Sequence, residues 1–280
     1  MAATRAAVLG APIAHSLSPV LHTAAYRALG LTDWSYWAIE CDEARLAGLL
    51  NTLGPDWAGL SLTMPLKRAV LPLLDQAEPL AVTVGAANTV ILKDGQRLGF
   101  NTDVAGLAAA MHAAGIKPQG NVVVLGGGAT ACSALAAVRE GGTADVTVAV
   151  RARSRAEPLR TVAARLGVTV RFADLGAGSL ASRPWDVLIS TIPGTAEAGV
   201  AGLVTTGALT AHAVVDVGYD PWPTPLAAAA EAVGSVVISG YEVLVHQAAG
   251  QVELMTGHQA PVAAMRAAGL AELDRRGNSR

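Results

Sequence analysis

A glycine-rich segment between an apolar run and a helical stretch carries the clearest chemical signal in the chain. It reads Val122-Val-Val-Leu-Gly-Gly-Gly-Ala-Thr-Ala131. Gly126 suits a tight turn, Gly128 lets the backbone approach a pyrophosphate, and Ala131 permits close contact between helix and strand. Free N–H groups and a partial positive charge at the helix start favour such an anion. The segment therefore predicts a dinucleotide site, and the alternative is a plain tight turn.

Arginines follow the next predicted strand, where the ribose of a dinucleotide would lie. Sites that prefer NAD place Asp or Glu about 20 residues beyond the glycines, to bind the ribose 2′-hydroxyl. Here the strand is followed by Arg151-Ala-Arg153-Ser-Arg155, with no acid at its tip. Because guanidinium groups pair with phosphate oxygens, this run favours a 2′-phosphate and hence NADP. The alternative is a solvated arginine run at the start of a helix.

Lys67 is one of only three lysines and lies among apolar and hydroxyl residues directly after a strand-like run. Such a lysine is either a surface cation, with its stem along apolar side chains, or a proton donor. Asn88 and Asp103 stand at two further turn-like positions and could be turn formers with no other role. The sequence thus indicates a possible acid–base group in the first half.

Hydroxyl groups also follow the first predicted strand. Ser16 and Ser18 can both point at one small anion, although Ser18 could instead cap a helix that begins at Pro19. Two later segments, 190–194 and 214–221, place polar groups at strand ends, where ligands are commonly held.

Short apolar runs alternate with Ala-rich stretches, which predicts parallel βαβ units with ligands at the carboxyl ends of the strands. The predicted strands are 6–9, 36–39, 59–63 and 89–92, then 122–125, 145–150, 169–172, 187–190, 213–216 and 235–238. The predicted helices are 18–28, 43–51, 67–74, 131–140, 155–166 and 226–233. The segment 242–275 has helical composition and is expected to pack back on the first half.

Composition limits the class of protein. Of the 280 residues, 52% are hydrophobic and 15% are charged, which excludes a disordered chain. The uncharged stretches 118–138 and 198–215 contain polar residues and glycines, so neither is the run of about 20 apolar residues that a membrane helix needs. The first residues lack the apolar core of a secretory signal. We therefore expect a cytoplasmic protein with no membrane partner.

Charge and cysteine content exclude further classes. The net charge of −2 does not favour a nucleic-acid partner. Two cysteines are too few for a disulfide scaffold, and the six histidines show no metal-ligand spacing. We expect no metal site.

Six motifs, in this order, resemble the shikimate dehydrogenase family across nearly the whole chain. They are Ser-Leu-Ser-Pro at 16–19, Thr-x-Pro-x-Lys at 63–67, Ala-Asn-Thr at 87–89, Asn-Thr-Asp at 101–103, the glycine loop and the segment 240–247. The resemblance implies an α/β protein with a substrate domain, 1–103 completed by 241–280, and a Rossmann NADP-binding domain, 104–240. It also implies reversible reduction of 3-dehydroshikimate to shikimate with NADPH, in the pathway to chorismate and aromatic amino acids. A small-molecule substrate and a homodimer are the expected partners.

The resemblance also implies roles for individual residues. Lys67 and Asp103 would be the catalytic pair. Substrate binding would fall to Ser16, Ser18, Thr63, Asn88, Tyr219 and Gln247. Cofactor binding would fall to Gly126, Gly127, Gly128, Ala129, Arg151, Arg155, Thr191, Val217 and Gly240. Hydride arriving at a carbonyl carbon leaves charge on the oxygen, so the site must deliver a proton, and an ammonium oriented by a carboxylate can donate it.

Three positions depart from the usual family pattern. Ser61 stands where asparagine is common, Val150 stands where the phosphate loop commonly has asparagine, and Val243 stands where methionine is usual. Contacts near Ser61, the strength of NADP preference and packing beside the nicotinamide depend on these positions.

Three alternative functions follow. A quinate or quinate/shikimate dehydrogenase that uses NAD, or both cofactors, often carries an acid at the second-strand tip, which is missing here. The folate dehydrogenase group shares the two-domain plan but not the Ser-Leu-Ser-Pro and Asn-Thr-Asp motifs. A dinucleotide-binding regulator without activity would be expected to lack Lys67 or Asp103, and both are present.

Overall fold

The computed structural model of the chain describes residues 4–153, 156–181 and 183–277. The chain divides into two compact units. The first runs to Gly106 and resumes at Val245, and the second spans Leu107–Leu244. The functional division expected at residues 103 and 240 stays a prediction.

The first unit is built on a six-stranded sheet in the order β2-β1-β3-β5-β6-β4. Its strands are β1 (Thr4–Gly10), β2 (Trp34–Glu40), β3 (Trp57–Leu62), β4 (Gln76–Ala77), β5 (Thr89–Lys93) and β6 (Gln96–Phe100). The strand β1 lies between two neighbours, and its apolar run Ala6–Leu9 is buried. Such a continuous apolar run is typical of a strand covered on both faces.

This sheet is mixed, so the prediction of purely parallel units is wrong for its second half. β1 pairs with β2 and β3 in parallel, but β5 is antiparallel to both β3 and β6. The β5–β6 pair is antiparallel because a two-residue turn, Asp94-Gly95, joins the two strands, and both of its residues have positive φ. An Asp-Gly pair fits a tight hairpin of this kind, and it adds the unpredicted strand β6.

The second unit has the predicted Rossmann arrangement, which is confirmed. Its strands are β7 (Val122–Leu125), β8 (Asp145–Val150), β9 (Thr169–Asp174), β10 (Trp185–Ser190), β11 (Ala211–Asp216) and β12 (Val236–Ser239). All pair in parallel in the order β12-β11-β10-β7-β8-β9. The strand order reverses between β7 and β10, and ligands bind outside the carboxyl ends at such a switch point.

Helices connect and cover these sheets. They are α1 (Ser18–Ala28), α2 (Glu43–Leu50), α3 (Leu66–Ala69), α4 (Pro79–Val84), α5 (Asp103–Ala113), α6 (Ala129–Glu140), α7 (Glu157–Leu166), α8 (Ala177–Leu180), α9 (Glu197–Thr205), α10 (Pro225–Ala232), α11 (Gly240–Thr256) and α12 (Val262–Gly277). The predicted helix 67–74 is instead α3 followed by a 3₁₀ turn at Leu71–Leu73. The helical segment 242–275 breaks after α11, where Gly257 has a φ of 72°.

Within the ranges that the structure describes, no helix combines the length and the apolar character needed to cross a bilayer. The same ranges hold no cluster of three or more His, Cys, Asp or Glu residues able to bind a metal ion.

Candidate active site

Lys67 and Asp103 meet in the first unit as an ion pair. The Nζ of Lys67 lies 2.6 Å from Oδ2 of Asp103, and the two side chains are 15% and 12% exposed. Lys67 belongs to α3, which follows β3, and Asp103 is the first residue of α5. A carboxylate is favoured there by the partial positive charge of the helix start. The pair is shielded from bulk water yet still reachable, as a proton-transfer site requires.

Two backbone contacts hold the pair in place. The Ala87 N–H donates to the Lys67 carbonyl at 2.8 Å, which joins α3 to the turn that carries Asn88. The Asn101 side chain accepts from the Asp103 N–H at 3.1 Å and so caps the start of α5. The Asn-Thr-Asp motif therefore serves both as a helix cap and as the source of the carboxylate.

Asn88 is buried and joins the carboxylate to two neighbours. Its Nδ2 donates to Asp103 Oδ1 at 2.9 Å, to Thr102 Oγ1 at 2.9 Å and to Gln247 Oε1 at 3.1 Å. Its Oδ1 accepts from the backbone N–H of Thr102 at 2.8 Å. Because a backbone N–H can only donate, the amide of Asn88 has one orientation, with its nitrogen towards Asp103.

Gln247 reaches this cluster because α11 approaches the start of α5 very closely. A Cβ on Gly106 would lie 2.7 Å from the Cβ of Gln247, and one on Gly250 would lie 3.2 Å from Thr102 Cγ2. Only glycine leaves room for these contacts. The structure thus brings together four of the predicted residues: Lys67, Asn88, Asp103 and Gln247.

The other first-unit substrate residues follow the carboxyl ends of β1 and β3: Ser16 and Thr63 lie on loops, and Ser18 is the first residue of α1. The Ala11 N–H donates to the Met64 carbonyl at 3.0 Å, and the Thr63 N–H donates to the Leu9 carbonyl at 2.9 Å, so these loops are neighbours. Ser16 Oγ accepts from the Ser18 N–H at 3.2 Å. The two serines are therefore adjacent, as a shared anion would require.

The capping alternative for Ser18 is wrong. The residue at the N-cap of α1 is Leu17, which makes no side-chain cap, and Ser18 is already inside the helix. Ser18 is largely buried, so its hydroxyl is not a solvent-facing cap.

The glycine loop of the second unit fits a pyrophosphate. Gly126 has a φ of 112°, and a Cβ there would lie 2.4 Å from Thr191 Oγ1. Gly128 is the N-cap of α6 with no side-chain cap, and a Cβ there would meet no atom of the described residues within 4 Å. Open space beside an uncapped helix start is the geometry that an anion needs. Gly127 and Ala129 flank the same opening in the chain.

Thr191 ties the two strands of the switch point together. Its Oγ1 donates to the Leu125 carbonyl at 2.7 Å, and its N–H donates to the same carbonyl at 2.9 Å. Val217 and Gly240 follow the neighbouring strand ends: the Val217 N–H donates to the Ser190 carbonyl, and the Gly240 N–H donates to the Gly218 carbonyl. Thr191, Val217 and Gly240 therefore all lie at the carboxyl edge of the second sheet.

The arginine run is only partly described. Arg151 follows β8 and is exposed. Arg153 pairs with Asp174 at 3.3 Å. Arg155 lies outside the described residues. Of the two arginines in this run that the structure describes, Arg151 is therefore the one on which the prediction of 2′-phosphate binding rests.

Tyr219 belongs to the second unit, on the loop between β11 and α10. A buried acidic pair that the sequence did not indicate lies beside this loop, with Asp216 at the end of β11 and Glu197 at the start of α9. A Cβ on Gly218 would lie 3.4 Å from Asp216 Oδ1 and 3.7 Å from Glu197 Oε1, so both carboxyls face that glycine. Burial, with the charge of Asp216, raises the pKa of Glu197 to about 7. Burial also raises the pKa of Asp216, against hydrogen bonds from Thr224 and Gly218.

Comparison with known proteins decides which family this geometry belongs to. Residues 8–90 match the family model described as the shikimate dehydrogenase substrate binding domain, and residues 240–268 match the shikimate 5′-dehydrogenase C-terminal domain. A shikimate dehydrogenase (NADP(+)) of Geobacter sp. (strain M21) is 38% identical, over 97% of this chain and 96% of the relative. The chain belongs to the shikimate dehydrogenase family.

Solved structures of the shikimate dehydrogenase family share the fold. The Mycobacterium tuberculosis shikimate dehydrogenase aligns with a TM-score of 0.85 and 44% identity, covering 96% of this chain and 99% of that one. A Thermus thermophilus shikimate 5-dehydrogenase in complex with NADP(H) and shikimate aligns with a TM-score of 0.82 and 33% identity, covering 96% and 99%. The glycine loop lies between the two regions matched by family models, and its role in cofactor binding stays a prediction.

Two residues at the site have no role predicted from the sequence. Thr102 was quoted as part of a motif but given no role, yet it orients Asn88. The Nε2 of Gln251 donates to the backbone carbonyl of Asn88 at 3.2 Å. Gln251 follows Gln247 by four residues on α11, and such residues share a helix face, which is the signal that could have found it.

Proposed function

We propose that this chain is an NADP-dependent shikimate dehydrogenase. The reaction is the reversible reduction of 3-dehydroshikimate to shikimate, a step towards chorismate and the aromatic amino acids. The observation that carries this proposal is the Lys67–Asp103 ion pair held by Asn88. Full-length relatives named shikimate dehydrogenase (NADP(+)) supply the substrate and cofactor.

Lys67 is the proton donor in the reductive direction. As the carbonyl carbon gains hydride, negative charge develops on its oxygen, and the Lys67 ammonium donates a proton there. Asp103 orients the ammonium through their 2.6 Å ion pair. In the oxidative direction neutral Lys67 accepts the hydroxyl proton. Positioned acid–base catalysis of this kind contributes about 10²–10⁴-fold to the rate.

The remaining polar groups bind and orient the substrate. Ser16 and Ser18 would bind its carboxylate, with Tyr219 as a further candidate. Asn88, Gln247 and Thr63 would bind ring hydroxyls. Because the Asn88 nitrogen already donates to Asp103, this amide fixes the substrate relative to the proton donor.

Residues of the second unit would hold the dinucleotide, which supplies the hydride when bound. Gly126, Gly127, Gly128 and Ala129 would bind the pyrophosphate, and the open space beside Gly128 at the uncapped helix start supports this role. Arg151 and Arg155 would pair with the 2′-phosphate. Thr191, Val217 and Gly240 would border the nicotinamide half.

The test is an assay of the purified protein at the nicotinamide absorbance band, with shikimate or quinate against NADP or NAD. Turnover largely confined to shikimate with NADP supports the proposal. Strong turnover of quinate or with NAD would replace it with a quinate/shikimate dehydrogenase. If no pair turned over while NADP still bound, the protein would be a regulator and the proposal would fail.

We propose that the enzyme acts in the cytoplasm, as a homodimer. Sedimentation of the purified protein at several concentrations tests the assembly: a mass twice the 28.3 kDa of one chain supports the dimer, and a single-chain mass rejects it.

A further inference from the structure

A buried polar network lies behind Asn88 in the first unit. We call Tyr36, Ser61, Thr89 and Gln251 the Gln251 network. Tyr36 donates to Ser61 Oγ at 2.6 Å, and Ser61 donates to Gln251 Oε1 at 2.8 Å. Gln251 Nε2 lies 3.2 Å from both Thr89 Oγ1 and the Asn88 carbonyl. Thr89 in turn donates to Asn88 Oδ1 at 2.9 Å. All four side chains are buried.

Two backbone groups fix the direction of every bond in this network. The Asn88 carbonyl can only accept, so it faces the nitrogen of Gln251 and turns the Gln251 oxygen towards Ser61. Ser61 must then donate to Gln251, which leaves Tyr36 to donate to Ser61. At the other end the Thr102 N–H can only donate, so it fixes Asn88 Oδ1 as an acceptor. A set of hydrogen bonds with one possible arrangement restricts the motion of its members.

His22 contacts two members of the network, Tyr36 and Gln251. Its ring stacks on Tyr36 at 3.9 Å between centroids, and its Nε2 lies 3.4 Å from Gln251 Oε1. Since that oxygen accepts, Nε2 carries the hydrogen of the neutral ring. Burial lowers the pKa of His22 to about 3, so no charge enters this part of the core near neutral pH.

The network also explains the departure at Ser61. The Ser61 hydroxyl is 3% exposed, accepts from Tyr36 and donates to Gln251. The Ser61 hydroxyl therefore both donates and accepts within the core.

We propose that Gln251 is a positioning residue of the active site. Through Thr89 and the backbone of Asn88 it holds the Asn88 amide, whose nitrogen holds Asp103 in the orientation that pairs with Lys67. Ser61 and Tyr36 hold Gln251 itself. This inference rests on the proposed function for its effect on turnover, but not for its effect on the Lys67–Asp103 pair.

Gln251→Met tests the proposal, because methionine has a similar length and no amide. A catalytic group displaced by a distant substitution can lose up to about 10²-fold in rate, and we expect a fall in kcat of roughly 10-fold or more. The change in KM should be much smaller than the change in kcat. Tyr36→Phe, which removes only a hydroxyl, should cause a smaller loss in the same direction.

Tyr26→Phe is the matched control. Tyr26 is a second buried tyrosine close to His22, and its hydroxyl has no hydrogen-bond partner among the residues described. Removing this hydroxyl leaves the Gln251 network intact. We expect wild-type kcat and KM from this variant.

A spectroscopic measurement separates positioning from general damage. The chain has only three lysines, so ¹³C labelling at lysine Cε gives three signals to assign. In the free protein, the Lys67 signal should shift in Gln251→Met and in Tyr36→Phe, because its partner carboxylate moves. The Lys93 and Lys117 signals should stay in place, and Tyr26→Phe should shift none of the three.

The outcomes distinguish this inference from the proposed function. If the wild type turned over neither shikimate nor quinate with either cofactor, the proposed function would fail. The Lys67 signal would still test the network in that case. If Gln251→Met and Tyr36→Phe lowered only the melting temperature, with kcat and the Lys67 signal unchanged, the network would be structural and the inference wrong. If Gln251→Met does not fold, the kcat and the Lys67 signal of the milder variant Tyr36→Phe decide between these outcomes.

Discussion

Lys67 Nζ lies 2.6 Å from Asp103 Oδ2, although 36 residues separate the two along the chain. Each residue stands at a junction between strand and helix, and the other carboxylate oxygen of Asp103 accepts from Asn88. Both oxygens of the carboxylate therefore have fixed donors, so the ammonium is held in one place. This relationship gives the first prediction a definite geometry.

Lys67→Ala should lower kcat by about 10²–10⁴-fold with a smaller change in KM, because it removes the proton donor and not the main substrate contacts. Steady-state rates with shikimate and NADP measure the effect. Lys93→Ala is the control, since Lys93 is an exposed lysine at the end of β5 and should retain wild-type rates. Near-normal kcat in Lys67→Ala would remove Lys67 from the mechanism.

The site motifs could be predicted from the sequence because each lies at a strand end and contains its own turn chemistry. Asn-Thr-Asp at 101–103 both caps a helix and supplies the carboxylate, so one local pattern marks both functions. The Asp94-Gly95 turn is an equally local signal, because an Asp-Gly pair of this kind predicts a hairpin and hence the strand β6.

The Gln251 network could not be found by local patterns. Ser61 and Gln251 are 190 residues apart, and their contact exists only because α11 packs on the first unit. Pairing between buried polar groups is set by the fold, since each group must find a partner once water is excluded. The same reasoning applies to Glu197 and Asp216, which share no motif and meet only beside Gly218.

Arg151→Ala should raise the KM for NADP by roughly 10- to 100-fold, because a hydrogen bond to a charged group contributes about 1.5–3 kcal/mol. The KM for NAD, which has no 2′-phosphate, should hardly change. Initial rates with each cofactor at saturating shikimate give both values. Arg153→Ala removes a guanidinium already paired with Asp174 and should alter neither KM. Equal effects on NADP and NAD would contradict a 2′-phosphate contact.

Gly128→Ala should leave stability nearly unchanged yet weaken NADP binding by about 10-fold or more, because open space next to an uncapped helix start is where a pyrophosphate would lie. A Cβ at this position meets no protein atom within 4 Å, and its φ of −80° suits alanine. Thermal unfolding and a fluorescence titration with NADPH test the two halves separately.

Gly202→Ala is the matched control for Gly128→Ala. Gly202 lies within α9, and a Cβ there also meets no atom within 4 Å. This variant should keep wild-type affinity for NADPH and gain up to about 1 kcal/mol of stability, because alanine favours the helix. Tight cofactor binding by Gly128→Ala would show that the backbone at residue 128 does not approach the dinucleotide.

Ionisation of the buried Glu197 carboxyl should make the protein less stable as pH rises towards neutrality. In the folded protein burial and the charge of Asp216 raise its pKa to about 7, whereas its ordinary value is 4.5. Between these values the folded state binds more protons than the unfolded state, so the stabilising contribution is complete below 4.5 and is lost as pH rises through 7. The shift corresponds to about 3 kcal/mol at most.

Glu197→Gln isolates this effect, because glutamine has the same shape and no ionisation. The free energy of unfolding in urea should be larger for the variant than for the wild type, and this difference should grow as pH rises from about 5 to about 8. Taking the difference between the two proteins at each pH removes groups common to both, including buried His22, whose pKa lies near 3 and whose contribution changes in the opposite direction. A difference in unfolding free energy that is constant across this pH range would mean that Glu197 is already ionised in the folded protein at about pH 5, so that neither burial nor the charge of Asp216 raises its pKa.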